Sequence, residues 1–195
     1  MIRLSALILV SLLVAVVLRD GWAADAPRIR PLIWAQPVIG TQLENLHQVS
    51  PEVYRSGQPK ARDLKLLVEQ LGIKSVLTLR DLHDDEDEAE GLPLALYRVE
   101  MEADDIEPEK IARAMQIIKD APKPILIHCW HGSDRTGLVV AAYRITFQGW
   151  APTVAADELV NGGFGYHAKM FPGIAEWVRS GAIKPGTPPL APAKP

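Results

Sequence analysis

Three observations in the sequence predict an α/β fold: a central, mainly parallel sheet flanked by helices. Short apolar runs of strand character alternate with stretches of helical periodicity between about residues 46 and 179. One run, Ile125-Leu126-Ile127, is apolar at every position, as a strand covered by helices on both faces must be. A glycine-bearing segment, His128 to Gly137, joins that run to the next helical stretch. In such sheets ligands gather at the carboxyl ends of the strands, which is where this segment falls.

The chain begins with Arg3 and an uncharged run, Leu4 to Leu18. As a helix it is too short for a hydrocarbon core about 30 Å thick. With the small-residue site Gly21-Trp22-Ala23 after it, the run fits a secretory signal over residues 1–23. An uncleaved anchor is the alternative, and membrane contact is expected only in that case. Either reading places the remainder outside the cytoplasm, with the periplasm expected. Residues 24–37 carry Pro27, Pro31 and Pro37 and read as a loose lead-in. Residues 38–183 form the expected domain. Residues 184–195, with five prolines, read as a disordered or extended tail.

Within the domain, Leu46 to Arg55 holds two strand-like pieces broken at Ser50-Pro51. Ala61 to Leu71 places Leu64, Leu67, Val68 and Leu71 on one helical face, and Gly72 stops it. Ser75 to Leu79 and Leu94 to Val99 read as strands. Pro108 starts a helix through Ile111, Ala114, Met115 and Ile118. After the Ile125–Ile127 strand, Thr136 to Phe147 reads as a buried helix, and two more follow at about Thr153–Leu159 and Lys169–Arg179.

With 195 residues and 48% hydrophobic content, the chain can bury one core, and it is neither disordered nor fibrous. Its net charge of −3 gives no electrostatic footprint of a nucleic-acid binder, so no nucleic-acid partner is expected. Cys129 is the only cysteine, which excludes an internal disulfide and a four-thiolate zinc site. Its retention in an oxidising compartment calls for a chemical reason.

That reason lies in His128-Cys129-Trp130-His131-Gly132-Ser133-Asp134-Arg135-Thr136-Gly137. A tight loop between a strand and a helix turns backbone N–H groups inward and adds the helix amino terminus, forming a pocket for a tetrahedral oxyanion. Trp130, His131, Gly132, Ser133, Asp134 and Arg135 are the expected phosphate-binding residues. Arg135 supplies a planar bidentate contact. The same positive field favours the thiolate of Cys129, the nucleophilic form. Thr136 is expected to donate a hydrogen bond to the sulfur, and His128 to fix the loop through backbone hydrogen bonds. Asp134 adds negative charge, against highly phosphorylated substrates. Trp130 either stacks on a substrate ring or packs beneath the loop.

The segment resembles the signature loop of cysteine-dependent protein tyrosine and dual-specificity phosphatases, His-Cys-x5-Arg-Thr-Gly. The likeness runs from about Val53 to Arg179. Val53-Tyr54-Arg55-Ser56-Gly57-Gln58-Pro59 resembles the entry segment of bacterial, plant and fungal members. Gln148-Gly149-Trp150 and Asn161-Gly162-Gly163-Phe164-Gly165 resemble exported bacterial ones. The resemblance implies the dual-specificity phosphatase fold, a phosphocysteine intermediate and no metal or cofactor.

Expelling an alkoxide or phenolate needs a proton donor. The family's acid sits on the loop after the Leu94–Val99 strand, where Ala103-Asp104 matches the exported relatives' Ala-Asp, so Asp104 is the expected catalytic acid beside Cys129 and Arg135. Asp105 is the alternative. Asp81 to Glu90 holds seven carboxylates and reads as a solvated loop. His47, His83 and His167 read as surface or packing residues. The expected activity is hydrolysis of phosphotyrosine, with phosphoserine and phosphothreonine as further candidates, on exported or membrane proteins. Inositol polyphosphate hydrolysis at the same site is the alternative. Sulfur transfer and non-catalytic phosphoprotein binding are weaker alternatives.

Overall fold

The computed structural model describes residues 30–184 and 186. The expected signal segment and nearly all of the proline-rich tail lie outside the described residues. Contacts divide the chain after Pro31, and the sheet, the helices and the site all belong to the unit that begins at Leu32. Six strands form one sheet: β1 (Gln36–Pro37), β2 (His47–Ser50), β3 (Val53–Ser56), β4 (Ser75–Thr78), β5 (Ala95–Arg98) and β6 (Ile125–His128). Their order is β1-β2-β3-β6-β4-β5. β1, β2 and β3 pair antiparallel, whereas β6 pairs parallel with both β3 and β4, and β4 parallel with β5. β6 is therefore central, as its unbroken apolar run requires, and all four of its residues are buried.

Five helices follow in chain order: α1 (Ala61–Leu71), α2 (Pro108–Asp120), α3 (Asp134–Gln148), α4 (Pro152–Asn161) and α5 (Pro172–Arg179). Gly72 ends α1 in the left-handed conformation, φ 64°, with its N–H on the Leu67 carbonyl. Alternation along the strands divides the core. Tyr54, Val76 and Leu126 face one side with Leu64 and Leu67 of α1. Val53, Leu77, Ile125 and Ile127 face the other, against α2, α3, α4 and α5. α3 is buried on nearly every side. Its buried Arg144 is matched by Glu158 of α4 at 2.8 Å through both Nε and Nη2.

Two boundaries differ from the sequence expectation. The end of the lead-in is not loose: Gln36–Pro37 pairs with β2, and Ala35 is fully buried with its N–H on Glu158 Oε1 at 2.6 Å. Proline is tolerated there because β1 is an edge strand. The last helix starts at Pro172 rather than Lys169, since residues 168–170 form a turn and Pro172 fixes the first helical φ.

Candidate active site

Cys129 follows β6, and Arg135 lies in the first turn of α3. Between them the chain turns tightly enough that Gly132 adopts φ 73°. A Cβ at Gly132 would lie 2.4 Å from the Ser56 carbonyl oxygen, so only glycine fits. The loop's carbonyls are all held from behind. Trp130 O accepts from Gln58 N–H at 2.8 Å, His131 O from Asn45 Nδ2 at 2.7 Å, and Gly132 O from Arg55 Nη2 at 2.6 Å. In a trans peptide the C=O and the following N–H point oppositely. The N–H groups of His131, Gly132 and Ser133 are thus turned to the other side of the loop, toward the cavity. An anion cradle is built by pulling on its carbonyls.

The braces are themselves buried or constrained. Arg55 is fully buried, with its guanidinium 3.6 Å over the Phe164 ring. Asn45 sits at φ 54°, a region asparagine tolerates, and its amide also donates to Phe164 O at 3.0 Å. Ser133 Oγ donates to the same carbonyl at 2.6 Å. The Asn161–Gly165 segment is therefore a clamp on the back of the loop.

His128 is fully buried. Its Nε2 meets Asp85 Oδ2 at 2.8 Å and its Nδ1 meets the Cys129 carbonyl at 3.2 Å. The fixing role thus includes a carboxylate that sequence reasoning placed in solvent. Asp85 is buried and accepts from Gln58 Nε2 at 2.8 Å as well. Burial pushes its carboxyl up, but the hydrogen bond and charge of His128, the Gln58 bond and His83 hold it below the ordinary aspartate value. The acidic stretch turns inward at Asp85 and Ala89, because a carboxylate with two donors is stable when buried. Among the described residues, His83, Asp85 and Glu88 alone place three metal-type donor atoms within 4.8 Å of one another. Asp85 is already committed to His128 and Gln58, and His83 Nε2 lies 3.3 Å from Glu88, so the group acts as a brace. His47 packs edge-on against Phe164, as expected of a packing residue.

A cavity of about 290 Å³ opens over the loop, lined by Cys129, Trp130, His131, Asp134 and Arg135 with Ala103, His167, Met170 and Phe171. Gly132 and Ser133 are buried, and neither is among the residues lining it. Arg135 Nη1 donates to Met101 O at 3.1 Å and lies 3.6 Å from Asp81 Oδ1. Its Nε and Nη2 have no protein partner among the described residues, so that edge is free to fork onto an anion. Asp81 is held below the ordinary aspartate value by its own N–H, and the Leu82 N–H, Arg135 and Arg80 add to this against slight burial. Trp130 is 52% exposed, with the Arg80 guanidinium 4.2 Å from its ring, so it does not pack beneath the loop. Burial and the neighbouring Arg135 charge lower the basicity of Arg80.

The Thr136 hydroxyl is buried and makes no hydrogen bond, so the expected bond to Cys129 is not formed. Thr136 is the third residue of α3, where the helix rather than the loop sets its direction. His167 is exposed, as expected of a surface residue, and it also lines the cavity with Nδ1 on Asp134 Oδ2 at 2.8 Å. The charge of Asp134 is spent on that contact. Asp104 and Asp105 are both exposed beside Ala103, and neither is among the residues lining the cavity.

An oxyanion cradle with a cysteine at its floor and a forked arginine at its end defines a class, and the comparisons agree with it. Residues 41–164 match the family model described as "Tyrosine phosphatase family", and the chain belongs to that family. The dual specificity protein phosphatase TpbA of Pseudomonas aeruginosa is 35% identical over 146 residues, 73% of this chain and 65% of the relative. The match therefore spans just under two thirds of that relative's own length. The inositol diphosphatase SIW14 of Saccharomyces cerevisiae is 33% identical over 124 residues, 59% of this chain and 44% of the relative. Among solved structures, P. aeruginosa TpbA superposes with a TM-score of 0.71 at 32% identity, covering 80% of this chain and 94% of that one. A cysteine-to-serine variant of it in complex with pTyr gives the same TM-score.

Proposed function

We propose that this chain hydrolyses phosphotyrosine on proteins through a phosphocysteine intermediate. The observation that carries the choice of substrate is the cavity wall: Trp130, Met170, Phe171 and Ala103 surround Cys129 and Arg135, which suits an aryl ring above a phosphate. The backbone N–H groups and the forked Arg135 hold the phosphoryl oxygens while the Cys129 thiolate attacks phosphorus in line. Asp104 gives the leaving phenolate its proton. Its exposed position requires the 101–107 loop to swing over the bound ester. Water then cleaves the phosphocysteine. The relative's complex with pTyr supports this reading.

A second reading, hydrolysis of inositol phosphates, is favoured by Arg80 on the Trp130 ring beside the loop and by the similarity to an inositol diphosphatase. Comparing kcat/KM for phosphotyrosine, phosphoserine and phosphothreonine peptides with inositol phosphates separates the two. Preference for an inositol phosphate over every peptide overturns the first. The segment over residues 1–23 supports export to the periplasm, with exported or membrane proteins as substrates. Amino-terminal sequencing of the protein from the periplasmic fraction tests this, and retention of an unprocessed chain in the cytosol refutes it.

A further inference from the structure

We propose that Asp134, acting through His167, is the positioning residue for the cavity's apolar wall, and that this latch sets how strongly phosphotyrosine is preferred to phosphoserine; this rests on the substrate reading above. A carboxylate beside Arg135 in an oxyanion cradle opposes the anion unless its charge is engaged elsewhere. Asp134 is buried, and both of its oxygens go to one residue 33 positions away. Oδ1 accepts the His167 backbone N–H at 3.0 Å and Oδ2 meets the imidazole Nδ1 at 2.8 Å. A carboxylate only accepts, so Nδ1 carries the proton. Neither oxygen takes an N–H of α3, so the side chain does not cap its own helix.

What the latch holds is the turn that follows. The His167 carbonyl accepts the N–H groups of both Met170 and Phe171 at 2.9 Å, so those two residues move with it. Tyr166 closes the turn, its hydroxyl donating to the Phe171 carbonyl and accepting the Ala175 N–H at 3.3 Å. The Phe171 ring stands edge-on to the imidazole, with centroids 6.5 Å apart. The far end of the turn is fixed by α5, which starts at Pro172. At the near end the chain enters through Gly165, at φ 73°, and the latch ties it to α3. His167, Met170 and Phe171 all line the cavity over Cys129, and Met170 is 68% exposed, an apolar side chain held in water at the mouth of the site.

The cradle and the wall do different work. Arg135 and the loop N–H groups hold the phosphoryl group that every phosphoester shares. A tyrosine ring also gains by covering Met170 and Phe171, whereas a serine ester has no ring to reach them. An apolar contact of this size is worth about tenfold in kcat/KM. The ring is held alike in the ground state and the transition state, so the gain falls in KM. Asp134 thereby joins the choice of substrate to the signature loop itself.

The test is kcat and KM for phosphotyrosine and phosphoserine peptides of one sequence. The parent prefers phosphotyrosine. In His167→Ala the ratio of the two kcat/KM values falls about tenfold, chiefly through a raised KM for the phosphotyrosine peptide. Asp134→Ala removes both bonds and lowers the ratio at least as far, and the double variant lowers it no further than Asp134→Ala does. His167→Asn, whose amide N–H stands where Nδ1 did, keeps the parent ratio. Met170→Ala, at an exposed position where folding is not at stake, lowers it. An unchanged ratio in His167→Ala and Asp134→Ala overturns the inference, as does a loss shared equally by both peptides or carried by kcat. So do additive losses in the double variant, a fall in His167→Asn as deep as in His167→Ala, or a parent ratio in Met170→Ala. In all of these outcomes the parent still prefers phosphotyrosine and the substrate reading stands. A parent without that preference removes both.

Discussion

Beneath the cavity, every carbonyl from Trp130 to Gly132 is gripped by a buried or constrained donor, and His128 is gripped by Asp85. Across the cavity, Asp104 and Asp105 stand exposed, with no side-chain hydrogen bond among the described residues. One half of the site is therefore set before substrate arrives, and the other is free to follow it. The difference fits the chemistry. An oxyanion hole works by being fixed in advance, whereas a proton donor has only to arrive with the leaving group. It also separates two kinds of damage: changes to the floor's backbone and its braces disturb fold and activity together, and changes to the rim disturb activity alone.

The largest effect is expected from Cys129→Ser, which keeps the floor's shape and removes its nucleophile. Hydrolysis of a small aryl phosphate should fall to the detection limit, and substantial residual turnover would defeat the covalent route. Arg135→Lys should come close behind, because a point charge cannot reproduce the fork on two oxygens. Near-normal rates would remove Arg135 from transition-state binding.

Asp104→Asn probes the rim. Turnover of phenyl phosphate, a poor leaving group, should drop by about 10²- to 10⁴-fold. An activated ester should lose much less, and the melting temperature should not move. Asp105→Asn should be mild for both esters. The reverse ranking would transfer the acid role by one residue.

Gly132→Ala probes the floor. Its left-handed φ and the Ser56 carbonyl in the path of a Cβ should cost about 1–3 kcal/mol, with stability and turnover falling together. A stable but inactive variant would show that the loop's strain is local to catalysis.

Asp85→Asn gives the smallest effect and a distinct pH signature. The carboxyl of Asp85 lies below its ordinary value in the folded protein, so its contribution is present above about pH 3.9. That contribution is lost as pH falls through the folded-state value. Thermal melts from pH 7 to pH 3 should therefore show a steeper acid loss in the parent than in Asp85→Asn. Parallel curves would show that the Asp85–His128 pair contributes no net stability.

Much of this was legible in one dimension. The period-2 and period-3.6 patterns marked β2 through β6 and all five helices, because each element buries one stripe or run and the spacing of apolar residues records it. The loop from His128 to Gly137 was legible because a strand, a cysteine, a glycine and an arginine within ten residues leave few other uses for a lone thiol. β1 was hidden, since two residues containing a proline carry no periodicity.

What only the tertiary structure decided is which distant residues brace and line the loop. Arg55, Asn45, Asp85 and His167 lie 77, 86, 43 and 33 positions from their partners Gly132, His131, His128 and Asp134. Asp85 sits among six other carboxylates that look the same in the sequence, and His167 resembles any surface histidine. A polar side chain's role is fixed by the donor or acceptor it meets when buried, and no local pattern encodes a partner contributed by another strand or loop. Apolar burial needs only a face, so the sequence could state the fold; polar pairing needs a particular atom at about 2.8 Å, and only the folded chain supplies it.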